Sequence, residues 1–313
     1  MSVTLNGGVT FGGGLTLTAA PPGGNKAIFG YGDTTGYGGG VVSITNLVSN
    51  TGVVSTDTAG VGTARMVLAA AGYGTDKAIF GYGQDSGSAS LSMTNLVSNT
   101  GVVASNTAGV GTDRHSLAAA GYGTDKAIFG YGYTTTFTAI TSLVSNTGVV
   151  GNDVTGVGTT RTALAAANYG TDKAIFGYGY TGTNVSMTNL VSNTGVVAID
   201  TTGVGTARRQ LAPAGYGTDK AIFGYGYTTS QVSMTNLVSN TGVIATDTTG
   251  VGTIRNHLAA AGYGTDKAIF GYGINNSGSS VSMTNLVSNT GVVAIDTTGV
   301  GTARGMLAAA AYG

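Results

Sequence analysis

The heptapeptide KAIFGYG occurs six times, beginning at Lys26, Lys77, Lys126, Lys173, Lys220 and Lys267, at spacings of 51, 49, 47, 47 and 47 residues. This repetition constrains the fold more than any other feature, because units copied in series must bury their apolar faces against their own neighbours. Each copy continues through a variable stretch to TNLVSNTGVV (TSLVSNTGVV in the third copy, TNLVSNTGVI in the fifth), a DTTGVGT-like loop, one arginine, two variable residues and an LAAA-like run. The arginines are Arg65, Arg114, Arg161, Arg208, Arg255 and Arg304.

The residue types decide what each unit builds. KAIFGYG, VSMTNLVS and TGVVAID are short, rich in Val, Ile, Phe and Tyr, and bounded by Gly, Asn, Asp and Thr, which is the pattern of strands and turns. SNTG suits a tight hairpin connection, since Asn and Gly tolerate positive φ. LAAA ends at GYG in most copies, too soon for a stable helix, and reads as a strand of small residues. Each unit therefore supplies strand 1 (LAAA), strand 2 (KAIFGYG), strand 3 (VSMTNLVS) and strand 4 (TGVVAID). With 56 glycines in 313 residues, frequent sharp turns are expected.

Composition removes several function classes. Charged residues are only 8%, thirteen Lys and Arg balance thirteen Asp, and there is no Glu, so binding of nucleic acid by charge is not expected. An apolar share of 42% with mean hydropathy +0.22 provides a core and argues against disorder. The absence of Cys excludes disulfides, thiolate metal sites and thiol catalysis. No run of 18 apolar residues is present, so no membrane insertion is expected, and MSVTLNGGVTFGGG lacks the basic and apolar regions of a secretory signal. Synthesis in a cytoplasm without general secretion is the expectation.

Six four-stranded antiparallel units in series imply an all-β fold, a six-bladed β-propeller with about 47 residues per blade over residues 26–313. A β-solenoid is the competing layout, but its strands run parallel, whereas SNTG reads as an antiparallel hairpin. Residues 1–25 read either as a Gly-rich arm suited to attachment or subunit contact or as a flexible terminus without such a role. Two segments compete to supply the strand that closes the ring, residues 17–20 near the N-terminus and residues 307–310 near the C-terminus. The C-terminal one is favoured because Pro21 and Pro22 replace the usual turn before the first KAIFGYG.

The unit resembles the kelch repeat: GYG stands where the kelch glycine pair ends strand 2, and VSMTNLVSNTGVVAIDTTGVGTAR parallels the kelch third strand, turn and fourth strand. It departs from kelch in having no Trp. The near-identical glycine-rich copies are also similar to kelch-type repeats in virion proteins of tailed bacteriophages. That resemblance implies a non-enzymatic fibre, decoration or tail component located in the virion. Its partners would be other virion proteins, held through the arm or a uniform face, and a host surface glycan or protein. A soluble carbohydrate-binding lectin and an intracellular kelch-type interaction scaffold are the alternatives.

The copies differ in two places. After GYG stand DTTGYGGGV, QDSGSASL, YTTTFTA, YTGTN, YTTSQ and INNSGSS; after the arginine stand MV, HS, TA, RQ, NH and GM. Successive turns of an antiparallel meander alternate ends, so both variable regions are expected on one face, with the uniform GYGTDK and SNTG turns on the other. Loops on a rigid scaffold commonly carry recognition. The candidate binding residues are His115, Ser116, Arg209, Gln210, Asn256 and His257 near the axis, and Tyr133, Tyr180, Tyr227, Asn275 and Asn276 further out. Loops are also the positions most tolerant of change, which would explain the variation without any ligand.

No catalytic residue, metal site or cofactor is assigned. The two histidines read as equivalent positions in separate units, without accompanying carboxylates. The DTTGVGT loop is slightly like a sialidase aspartate box, but Trp and Glu are missing, and a galactose-oxidase-like site would need Cys. The glycines of GVGTAR and GYG lack the context of a phosphate loop. The Asp residues of TDK and DTTGVGT read as local turn residues, the former paired with Lys. The recurrent arginine reads as structural, bonding several carbonyls where loops converge. The two repeated tyrosines per unit fit either sugar-stacking platforms or packing between units.

Overall fold

The computed structural model describes residues 24–36 and 38–313, together with the backbone pairing of Thr4–Leu5 with Val9–Thr10. Apart from that pairing, residues 17–20 and the rest of the proposed arm lie outside the described residues, except that Gly24 and Asn25 are described and Asn25 bonds to Gly313 and Gly264, so these two belong to the repeat and not to an arm. The fold is all-β, and no helix is present among the described residues.

Six small antiparallel sheets follow the six copies. Sheet one joins Ala308–Tyr312 to Lys26–Gly30 and Thr45–Val48, so the last strand of the chain pairs with the first copy, as expected for residues 307–310. Sheet two is Ala69–Tyr73, Lys77–Gly81 and Thr94–Val97. Sheet three is Ala118–Tyr122, Lys126–Tyr133, Phe137–Val144 and Val150–Val154. Sheet four is Ala165–Tyr169, Lys173–Tyr180 and Asn184–Val191, and sheet five is Ala212–Tyr216, Lys220–Tyr227 and Gln231–Val238. Sheet six is Ala259–Tyr263, Lys267–Gly271 and Thr284–Val287.

A regular fourth strand is expected in every unit but forms only in sheet three. Elsewhere TGVVAID meets strand 3 at two isolated bridges, such as Thr188↔Thr201 and Val191↔Val197. The cause is the Asn of TNLV. Asn189 Nδ2 donates to the Ala198 carbonyl at 2.9 Å, and a side-chain amide thereby takes a position that a backbone N–H would fill. In the third copy Ser142 replaces that Asn, and the backbone pairs Ser142 with Asp153 in a true strand.

The inner strands are Ala-rich and succeed one another in the order of the copies, sheet six adjoining sheet one. Two backbone hydrogen-bond circuits lace them together. At one end Val67 N–H donates to Met306, Ser116 to Val67, Ala163 to Ser116, Gln210 to Ala163, His257 to Gln210 and Met306 to His257, each to the carbonyl. At the other, Gly313 donates to Asp76, Gly74 to Asp125, Gly123 to Asp172, Gly170 to Asp219, Gly217 to Asp266 and Gly264 to Asn25. Both circuits return to their starting sheet.

Packing between sheets explains the invariance of KAIFGYG. The Phe of each sheet seats on the first Gly of the GYG in the preceding one: a methyl group at Gly130 would stand 2.6 Å from Phe176 Cζ. The Tyr of GYG adopts φ near +62° in Tyr131 and Tyr178, a conformation of modest cost that bends the strand and turns the ring into the junction. There Tyr131 lies 5.0 Å from Phe176, edge to face. Both repeated tyrosines are buried, at 0% exposure for Tyr131 and 2% for Tyr122, so they are packing residues and not sugar platforms.

The repeated arginines complete each junction. Arg161 is fully buried, its guanidinium 4.3 Å from the centre of the Tyr131 ring. It donates to the Tyr178 and Thr159 carbonyls and to Asn189 Oδ1. This bears out the expected structural role. The Asp of DTTGVGT is not a local turn residue as expected. Asp200 accepts from the Thr159 hydroxyl and backbone N–H of the preceding copy and stands 3.7 Å from Arg161, linking two sheets. Burial pushes the Asp200 carboxyl up, but hydrogen bonds from Thr159 and Asn189 and the charge of Arg161 outweigh it and leave the pKa below 3.8.

Candidate functional site

Both variable segments of each copy meet at one end of the molecule, held by backbone bonds. The first residue after the arginine pairs with the residue after GYG: Met66 with Gln84, His115 with Tyr133, Thr162 with Tyr180, Arg209 with Tyr227, Asn256 with Ile274 and Gly305 with Asp33. The second residue after the arginine belongs to the hydrogen-bond circuit through Val67, Ser116, Ala163, Gln210, His257 and Met306, all at φ between 46° and 57°. Only backbone atoms serve these linkages. The frame is therefore fixed while its side chains are free to differ.

This geometry corrects the placement of the histidines. His115 is the first residue of its pair and His257 the second, so they are not equivalent. His115 packs against Tyr133 with ring centres 5.4 Å apart and the planes tilted by 55°, and bonds Ser90 through Nδ1 at 2.9 Å. His257 lines the axial opening with Ser116 and Gln210. Burial, with a contribution from the nearby Arg209 charge, pushes its pKa down to about 4, so it is neutral at pH 7. No group of three metal-ligating side chains occurs among the described residues.

In sheets three, four and five strand 2 runs on to the Tyr after GYG and pairs with an eight-residue strand 3, which raises three hairpins at this end. Their aromatic residues form a continuous arc. Tyr133 lies 5.8 Å from Phe137, and Phe137 lies 6.0 Å from Tyr180, edge to face across the junction between sheets three and four. Arg209 follows, with its guanidinium 4.6 Å from the centre of Tyr180 and 4.8 Å from that of Tyr227. Arg209 Nη1 donates to Asn184 Oδ1 at 3.1 Å, and Asn184 Nδ2 donates to the Thr228 carbonyl at 2.9 Å. All these rings are partly exposed.

Of the sequence-derived candidates, the structure brings His115, Tyr133, Tyr180, Arg209 and Tyr227 into this arc. Gln210 is drawn into a bond with Asn256, whose side chain is buried and donates to Gln210 Oε1 at 2.8 Å. Asn275 spends its side-chain oxygen on its own loop, accepting from the Ser277 and Ser279 backbones, while Asn276 is exposed at the tip. Sequence reasoning missed Phe137 and Asn184. Each immediately follows a YTTT- or YTGT-type tip, and its position at the first residue of strand 3 was the available signal.

The opposite end is uniform. Lys126 pairs with Asp125 at 2.8 Å, and the same pairing recurs in four further copies, as expected. The axis itself holds a cavity of about 130 Å³ walled by the Leu and Ala residues of the inner strands, with no titratable side chain facing it. No family model matches the chain, and no curated protein matches it.

Proposed function

We propose that the six sheets form a closed six-bladed propeller, of kelch-like layout, that acts as a non-enzymatic recognition scaffold. The two backbone circuits and the C-terminal strand in sheet one support closure. The variable end is the recognition surface, and the aromatic arc from His115 to Tyr227 is its centre. One observation carries this reading: backbone bonds hold both variable segments together at one end, while three consecutive hairpins there place aromatic rings and a lone arginine side by side. Drift confined to tolerant loops would not be expected to assemble a contiguous chemical surface from three copies.

The resemblance to glycine-rich phage repeats supports placing the chain in a tailed-bacteriophage particle, as a fibre, decoration or tail component. In that setting the uniform end and residues 1–23 would face other virion proteins, and the variable end a host surface glycan or protein. The test is adsorption of the labelled full chain to a panel of bacterial cells. Tyr133→Ala combined with Tyr180→Ala is expected to abolish adsorption with little loss of thermal stability, whereas Lys126→Ala at the uniform end leaves it intact. The reverse pattern would move the recognition surface to the uniform end and overturn this reading.

A further inference from the structure

The chain has thirteen Lys and Arg side chains, and the repeat consumes twelve of them. Six are the lysines of KAIFGYG at the uniform end, and six are the arginines buried in the junctions. Arg209 is the thirteenth, and it is the only Lys or Arg in the variable segments. It forms no ion pair among the described residues. It is nevertheless placed by the rings of Tyr180 and Tyr227 and by the bond to Asn184. A guanidinium stacked on aromatic rings keeps its in-plane N–H donors directed outward, in the fork that matches a planar anion. Because these contacts restrict the side chain before an anion arrives, less entropy is lost on binding than for a free arginine.

We propose that Arg209 reads the acidic group, carboxylate or sulfate, of a saccharide whose ring rests along Tyr180 and Phe137. This rests on the variable end being the recognition surface. The surroundings favour a sugar over an acidic peptide. Beside Arg209 stand aromatic faces, which suit the C–H faces of a pyranose, and hairpin tips carrying Thr181 and Thr228, whose hydroxyls donate to the Thr183 and Ser230 carbonyls and keep lone pairs to accept from sugar hydroxyls. A peptide would need an apolar pocket for an anchor residue, and the axial cavity at this end holds only about 90 Å³.

The test measures binding of the full chain to immobilised uronate-containing, sulfated and neutral oligosaccharides, to carboxyl-reduced versions of the uronates, and to acidic peptides. Binding to an acidic saccharide is expected to fall roughly tenfold or more on carboxyl reduction or desulfation, on Arg209→Gln, and on raising salt. Arg209→Lys, which keeps the charge but loses the fork, is expected to bind at an intermediate level. Thermal unfolding of each variant separates lost binding from lost folding, and Thr181→Ala provides a second variant that leaves the stacked arginine in place. Equal binding of acidic and neutral sugars, unchanged in Arg209→Gln, overturns the assignment to Arg209 but keeps the recognition surface if Tyr180→Ala still abolishes binding. Binding of acidic peptides alone overturns the saccharide class. Binding that survives Tyr133→Ala with Tyr180→Ala, or no binding to any probe, overturns both.

Discussion

At the scale of single residues, the junction between sheets one and two departs from the other five. Elsewhere the buried arginine faces a carboxylate, Asp57, Asp153, Asp200, Asp247 or Asp296. At Arg65 that position holds Asn106, which accepts from Asn95 Nδ2 and donates to Thr63 Oγ1. The amide reproduces the hydrogen bonds but not the charge. Arg65 Nη1 is left without a partner, alone among the six arginines, and its guanidinium stands 4.8 Å from Tyr31 where the other five lie 4.2–4.5 Å from their rings. Because a buried cation is costly without a counter-charge, Asn106→Asp is expected to stabilise the protein by about 1 kcal/mol at pH 7. The sign of its pH dependence follows from the native aspartates, whose folded pKa values lie below 3.8. The stabilisation is present above that value and vanishes as pH falls below it and the carboxylate protonates. Thermal unfolding of both proteins across pH 2–8 checks this; a gain that persists at the acid end would show that charge is not its source.

At the scale of elements, the junction works as a Phe side chain seated on a glycine. Gly130→Ala would drive a methyl group into the Phe176 ring and is expected to cost about 1–3 kcal/mol, as overpacking does in close-packed cores. Chemical denaturation reads the loss, and Phe176→Leu in the same background should recover part of it. A Gly130→Ala protein as stable as the parent would show that the sheets slide apart easily. The strands themselves were legible in the sequence, since β-branched and aromatic runs between turn residues have few other uses. Strand 4 was not. Whether TGVVAID forms a ladder depends on a side chain eleven residues away from its Asp: Asn189 competes with backbone pairing, and Ser142 is too short to do so. The inner strand was read at LAAA and lies one residue later, over AAAGY, because the Leu lines the axis before the ladder begins.

At the scale of the whole molecule, residues near the two ends of the described chain meet in sheet one. Asn25 N–H donates to the Gly313 carbonyl at 3.4 Å, and Gly24 and Asn25 occupy the places that Thr and Asp take in the other copies. A permuted chain in which Gly313 is followed directly by Gly24, with new ends opened between Gly123 and Thr124, is therefore expected to fold. Its unfolding midpoint should lie within a few degrees of that of a chain truncated to residues 24–313. A permutant that cannot reach a cooperative transition would mean that the sheets do not form one closed ring.

The sequence by itself determined the number of sheets, their order and the end at which the variable segments meet, because these follow from periodicity and from the alternation of turns along a meander. It also placed Arg209, the one Lys or Arg outside the repeat, among the candidates at that end. Only the tertiary structure decided which side chains touch. The arc that joins Phe137 to Tyr180 and Tyr180 to Arg209 crosses between sheets, and so does the pairing of Asp200 with Arg161. Contacts of that kind depend on how one sheet is turned against the next, an angle set by the seating of Phe on Gly and by the buried arginine, and no local pattern in a chain records it.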